Sequence, residues 1–145
     1  MAVAMGATGI LGDGTATVAG LAAAVRPGGI VVFGDGLWIR EPLLSGLASF
    51  GMTRDELPDG IEGFAALGIE AGLEVLDVEV VDDAEWDAYE DAYAGAIERW
   101  AAANPADPEA APFLERAQFF RTSYAEWRRD AFGFAIARFR VPSPG

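Results

Sequence analysis

Cysteine, histidine and lysine are absent from this 145-residue chain, and its ten positive charges are all arginines. Each gap removes a chemistry. Without histidine there is no Ser-His-Asp triad and no imidazole base. Without lysine there is no Schiff base, no phosphate-loop lysine and no Tyr-Lys dehydrogenase pair. Without cysteine no disulfide can form. A zinc ion would find only carboxylates, so no metal site is expected. Long hydrophobic runs are missing too. No stretch reaches the ~20 apolar residues of a membrane span, and no basic segment opens the chain. The expectation is a soluble cytoplasmic protein.

What is present is an apolar and acidic chain. Hydrophobic residues make up 52% of it, enough for one domain with a buried core. The formal charge is −13 and the isoelectric point about 4.2. Such a surface repels phosphate backbones and anionic lipid, so neither nucleic acid nor membrane is expected as a partner.

Met1 to Met5 is a short apolar run that fits the end of a buried strand. Gly6 to Gly14 is a glycine-rich loop, and Thr15 to Val25 reads as an alanine-rich helix stopped by Pro27-Gly28. Ile30 to Phe33 is apolar at every position, the mark of a strand covered on both faces. Asp35 to Pro58 reads as mostly irregular. A helix is expected over Ile61 to Ala71, then a strand over Leu73 to Val81. There Leu76, Val78 and Val80 alternate with Asp77 and Glu79, as in a half-exposed strand near a sheet edge. Asp82 with Glu85 has the spacing of a capping box. It opens a long helix whose stripe is Trp86, Tyr89, Tyr93, Ile97 and Trp100. Asp107-Pro108 suits the start of a second, with Phe113, Ala117, Phe120, Tyr124 and Trp127 as its stripe. The two read as an antiparallel pair, with both stripes buried between them and the sheet. Phe132 to Val141 is a last strand, and 142–145 is a frayed tail.

Gly6-Ala-Thr-Gly9-Ile-Leu-Gly12 has the G-x-x-G-x-x-G spacing of a dinucleotide loop, and Asp35 follows the next strand as a ribose-binding acid would. Against this, Asp13 falls where the pyrophosphate would sit. The acids Asp82, Asp83, Glu85, Asp87, Glu90 and Asp91 read as a solvated helix start, where negative charge favours the dipole.

An ordered series of motifs carries a resemblance to a known family. It runs Gly6-Ala7-Thr8, Arg26-Pro27-Gly28-Gly29, Gly34-Asp35-Gly36-Leu37-Trp38 and Ala71-Gly72-Leu73-Glu74. Glu85-Trp86-Asp87-Ala88-Tyr89-Glu90, Ile97-Glu98-Arg99-Trp100 and Phe132-Gly133-Phe134 complete it. The series resembles the C-terminal portion of bacterial class I S-adenosylmethionine-dependent methyltransferases, with Pro-Gly-Gly before the fifth strand of their sheet.

That resemblance implies an α/β fold. Residues 1–141 would be a partial Rossmann-like sheet, its fourth to seventh strands, with the last one antiparallel. A helical cap over 82–131 would be inserted between the last two strands. It implies S-adenosylmethionine as cofactor and a small molecule as substrate. The cofactor loop, the first three strands and the ribose-binding acid would lie upstream of Met1, so the isolated chain is expected to bind cofactor weakly or not at all. Gly6, Ala7 and Thr8 would border the methionine part of the cofactor. Asp35, Trp38, Tyr89 and Tyr93 would line the substrate pocket; no catalytic residue is assigned. Gly9 stands where members of the family often carry a histidine after Gly-(Ala/Ser)-Thr. Two other readings stay open: a non-catalytic remnant, or a half that docks on a separate N-terminal chain or pairs as a homodimer; and a relative of the dinucleotide-binding reductases.

Overall fold

A computed structural model describes residues 1–143, apart from the side chain of Thr8; the last two residues of the expected tail lie outside the described residues. Four strands form one open sheet: β1 (Ala2–Met5), β2 (Ile30–Trp38), β3 (Glu74–Val80) and β4 (Phe132–Arg140), in the order β1-β2-β4-β3. β1 and β2 are parallel, while β4 runs antiparallel to both β2 and β3. This is a Rossmann-like arrangement with its last strand reversed. β1 is joined to β2 through helix α1 (Gly14–Ala23), whose N-terminus is capped by Asp13: its carboxylate accepts from the Ala16 N–H at 2.8 Å. An acid at that point answers the orphan helix N–H groups and would repel a pyrophosphate. It weighs against the dinucleotide reading.

One face of the sheet is the core. Val31, Phe33 and Leu37 of β2 and Ala135, Ala137 and Phe139 of β4 share one parity and are buried. Helix α1 contributes Val18, and α3 (Gly60–Glu70) contributes Phe64, which stacks on Phe33 with ring centroids 5.6 Å apart. Each fully buried side chain of this size stabilises by about 1.5–3 kcal/mol. Alanines on β4 leave room for α3, and Gly68 lets that helix rest directly on Phe139; a Cβ there would collide with the ring.

Several expectations need correction. Strand β2 does not stop at Phe33 but continues through Gly34-Asp35-Gly36 to Trp38, because β4 offers nine residues of antiparallel partner. Short helix α2 (Leu44–Phe50) follows where irregular chain was expected. In β3 a register shift between Val75 and Asp77 breaks the alternation. Val75, Val78 and Val80 therefore pack on the core, and Leu76 is exposed. Finally, Val141 is tied down: its N–H donates to Gly29 and its carbonyl accepts from Gly28, pinning the end of β4 to the Pro-Gly-Gly turn.

Between β3 and β4 stand two antiparallel helices, α4 (Asp83–Ala103) and α5 (Ala110–Ser123), then a π-helical stretch over Tyr124–Arg128 and one turn, α6 (Arg129–Ala131). Only half of the expected capping box forms. Asp82 accepts from the Glu85 N–H, while the Glu85 side chain lines a cavity instead. The second helix starts at Ala110, after Asp107 has bonded the Glu109 N–H and turned the chain. The helices meet chiefly through small residues, with two aromatic pairs from the expected stripes beside them, Tyr93 on Phe120 at 5.6 Å and Trp100 on Phe113 at 5.3 Å. Ala94, Gly95, Ala101, Ala110 and Ala117 are the buried contacts, whereas Tyr93 and Trp100 are each 38% exposed.

Arginine–carboxylate pairs flank that seam. Arg121 bonds Glu98 and Asp91, each at 2.8 Å, and Arg129 holds both oxygens of Asp87 at 2.9 Å. Arg128, nearly buried, donates two bonds to Glu90 at 2.7 and 2.9 Å, and others to Ser123 and the Phe120 carbonyl. Asp87, Glu90 and Asp91 are therefore ion-pair partners, while Asp82, Asp83 and Glu85 stay exposed at the helix start. Arg129 and the Tyr124 hydroxyl hold the Asp87 carboxyl below its ordinary range. Burial and the bond to Asp87 push the Tyr124 hydroxyl upward.

Candidate active site

The face of the sheet opposite the core carries the aromatic half of β4. Phe132, Phe134 and Ile136 alternate with glycine and alanines, so all three point away from α3 and toward α4. From α4, Trp86 stacks on Phe134 (5.7 Å, 17°) and on Tyr89 (5.0 Å, 13°). Beside this stack, at the carboxyl end of β1, lies a cavity of about 320 Å³ bounded by Met5, Gly6, Val81, Glu85, Trp86, Tyr89, Phe134 and Ile136. An adjoining cavity of about 270 Å³ shares Trp86 and Tyr89 and reaches Glu90, Tyr93, Phe120 and Phe132.

Gly6 turns the chain out of β1 with φ 62°, a conformation that disfavours any side chain. Its N–H is committed to the Gly34 carbonyl at 2.8 Å, and the space where a Cβ would stand is open. The Trp86 indole N–H is buried and, among the described residues, without a hydrogen-bond partner, an arrangement that ordinarily costs about 1–3 kcal/mol.

The structure thus brings Gly6, Tyr89 and Tyr93 to one region. Ala7 follows Gly6 in the same loop, as does Thr8, whose side chain is not described. The other two predicted residues are elsewhere. Trp38 stands within β2, not on a loop. It is 1% exposed, donates its indole N–H to the Arg54 carbonyl at 2.7 Å and packs with Leu47, Trp127 and Ala131. It borders the adjoining cavity indirectly, through Phe132, which it meets edge-on at 6.1 Å.

Asp35 shares the parity of Phe33 and Leu37 and so points to the opposite face from Tyr89. There it borders a separate cleft of about 360 Å³ with Asp13, Thr15, Glu56 and Glu70, over an apolar floor of Phe33, Phe64 and Leu67. The expectation of one pocket between the Gly6–Thr8 loop, an Asp35–Trp38 loop and the hairpin is corrected on this point: the sheet itself separates Asp35 from the tyrosines.

Trp86, Phe132, Phe134 and Glu85 were not singled out as site residues. Their signal was present in the period-two placement of Phe132, Phe134 and Ile136 and in the helical spacing of Trp86, Tyr89 and Tyr93. Read one segment at a time, both patterns look like core. Among the described residues no cluster of carboxylates is arranged to hold a metal ion, and no helix is long and apolar enough to cross a membrane.

The architecture has close counterparts among proteins that bind the methyl donor's product. The chain has the fold of the S-adenosylmethionine-dependent methyltransferases, resembles them in sequence over nearly all of its length and corresponds to a part of them. A methyltransferase from Geobacter sulfurreducens, solved with S-adenosyl-L-homocysteine, matches 96% of the chain at 26% identity with a TM-score of 0.84. One from Thiobacillus denitrificans, in complex with the same ligand, matches equally at 26% and 0.83. The curated protein YjhP of Escherichia coli, itself uncharacterised, is 29% identical over 139 residues, 94% of this chain. The chain spans about half the length of these relatives, 55% of YjhP and 56% of the Geobacter protein. No family model matches it.

Proposed function

We propose that this chain supplies the substrate-side wall of an S-adenosylmethionine-dependent methyltransferase acting on a small molecule. The observation that carries the reading is the aromatic cavity beside Gly6. In open α/β sheets, ligands bind beyond the carboxyl ends of the strands, and this cavity stands at the carboxyl end of β1. In this reading residues 1–141 are the C-terminal part of the methyltransferase domain and 82–131 its cap.

The cofactor, when bound, brings a methyl group already activated on a sulfonium. The protein's task is alignment and exclusion of water. The residues present fit its methionine end. Gly6 leaves open space with a backbone that can be approached closely, and Ala7 and Thr8 follow it in the same loop; Trp86, Tyr89 and Phe134 make an apolar wall on the substrate side. Tyr93 and Phe132 extend the wall toward the substrate, while Trp38 buttresses Phe132 from behind. At about 320 Å³ the cavity is at the low end for a whole cofactor, so the adenosine needs further walls.

The test is a titration of the full chain with S-adenosyl-L-homocysteine, followed by isothermal calorimetry and by amide NMR. The expected result is weak heat with a concentration-dependent shift of the Gly6 amide. No shift at Gly6 overturns the placement. A micromolar dissociation constant, about −8 kcal/mol, at one site per chain overturns the reading that this is a partial site.

A second reading, a docking half, is favoured by one feature. β1 pairs with β2 alone among the described residues, and its Val3 and Met5 are about half exposed.

A further inference from the structure

The lining of the cavity beside Gly6 is unusual in what it offers a ligand. Its aromatic residues are Tyr89, Trp86 and Phe134, and among the described residues its charged group is the Glu85 carboxylate. Glu85 is exposed and has no hydrogen-bond or ion-pair partner for its side chain among the described residues. Beyond the Tyr89 hydroxyl, hydrogen-bond donors are scarce. The Gly6 N–H is spent on Gly34, and the Trp86 N–H is buried. Among the described residues no arginine lines the cavity, and the hairpin's Arg121, Arg128 and Arg129 are each paired with acids of α4.

A wall of aromatic residues and a carboxylate, with few donors beside the Tyr89 hydroxyl, is complementary to positive charge. An anion would meet Glu85 and find no cation to hold it. A neutral polar ligand would find little beyond the Tyr89 hydroxyl to accept from. A cation gains on both counts, since aromatic faces attract it through their quadrupole and a nearby carboxylate pairs with it. One face of the Tyr89 ring is stacked on Trp86, and the residue remains 56% exposed, so ring surface stays open to the ligand.

We infer that this cavity takes a small organic cation of the alkylammonium class, seated on Tyr89 and paired with Glu85. The inference rests on the proposed function only for calling this the substrate side of the site.

Choline and its neutral carbon analogue 3,3-dimethylbutan-1-ol are the probes, titrated separately into the full chain. The readout is the Trp86 indole N–H signal, assigned with Trp86→Phe. Choline is expected to bind at least about tenfold more tightly than the alcohol. Glu85→Gln and Tyr89→Leu, both at exposed positions that leave the fold intact, are each expected to remove most of that preference. Equal binding of the two probes, binding of neither, or a preference that survives both substitutions overturns the inference. The S-adenosyl-L-homocysteine titration at Gly6 separates the two claims. A Gly6 shift without a choline preference sinks the ligand class and leaves the methyltransferase reading. A choline preference without a Gly6 shift does the reverse.

Discussion

Trp38 and Trp100 carry the same side chain into opposite environments. Trp38 is buried, hydrogen-bonded through its indole and packed with Trp127 and Leu47. Trp38→Ala should cost about 3–5 kcal/mol in a denaturant melt, as large aromatic deletions from cores do. Trp100 was expected to be core; it is 38% exposed and meets Phe113 edge-on at 5.3 Å. Trp100→Ala should cost only about 1 kcal/mol, the order of an aromatic pair contact. Equal losses for the two would mean that the hairpin packs through its stripe after all. Gly68 is the complementary case, where nothing can be added. Its missing Cβ faces the ring of Phe139, itself fully buried and unable to yield. Gly68→Ala should lower stability by about 1–3 kcal/mol through overpacking, despite alanine's better helix propensity. A stabilised variant would show that α3 can move off the sheet.

The helical hairpin is held by small residues at its seam and by arginine–carboxylate pairs around it. Arg128 and Glu90 are the buried members, their side chains 9% and 12% exposed. Arg128→Met leaves Glu90 as an uncompensated charge and should cost about 3–5 kcal/mol. Adding Glu90→Leu should recover most of the loss, because an apolar pair avoids the desolvation penalty of both ions. A double variant as unstable as the single would show that the guanidinium matters through Ser123 and Phe120 instead.

The exposed pairs make the chain sensitive to acid. Arg129 lowers the Asp87 carboxyl, Arg138 lowers Asp77 and Arg121 lowers Glu98. With the folded values below the unfolded ones, the unfolded chain binds more protons at acid pH. Their contribution is complete above the ordinary carboxyl range, near pH 4, and is lost as pH falls through the depressed values. Melts from pH 6 down to pH 2 should show a steady fall in midpoint, blunted in Arg129→Gln. An unchanged slope in that variant would remove Asp87 from the account.

For the molecule as a whole, the sheet has two unequal edges. β3 carries Glu74, Asp77 and Glu79, and its Asp77 and Glu74 pair with Arg138 and Arg140. Charges and a bulge of this kind keep an edge from pairing with other chains. β1 carries no charge along Ala2–Met5, and its exposed Val3 and Met5 leave it able to add a strand. Light scattering on the full chain should show concentration-dependent association, reduced by Val3→Lys. A monomer at high concentration, with β1 protected from hydrogen exchange, would count against pairing at this edge.

Much of this was legible in the order of the residues. The Pro-Gly-Gly turn, the Asp82 cap, the two long helices and the apolar strands are set by local preference and by periodicity, which a sequence displays directly. The motif series also indicated the family resemblance. Three things were decided by contacts between segments distant in the chain. Gly34-Asp35-Gly36 has poor intrinsic strand preference, yet it is strand because β4 pairs with it along nine residues. The bulge at Leu76 exposes a residue that simple alternation assigns to the interior, because pairing with β4 shifts register there. The division of the site follows from the same cause. Asp35 and Tyr89 were grouped by motif, but a strand sends neighbouring side chains to opposite faces. Only the assembled sheet, with α3 on one side and α4 on the other, decides which residues share a cavity.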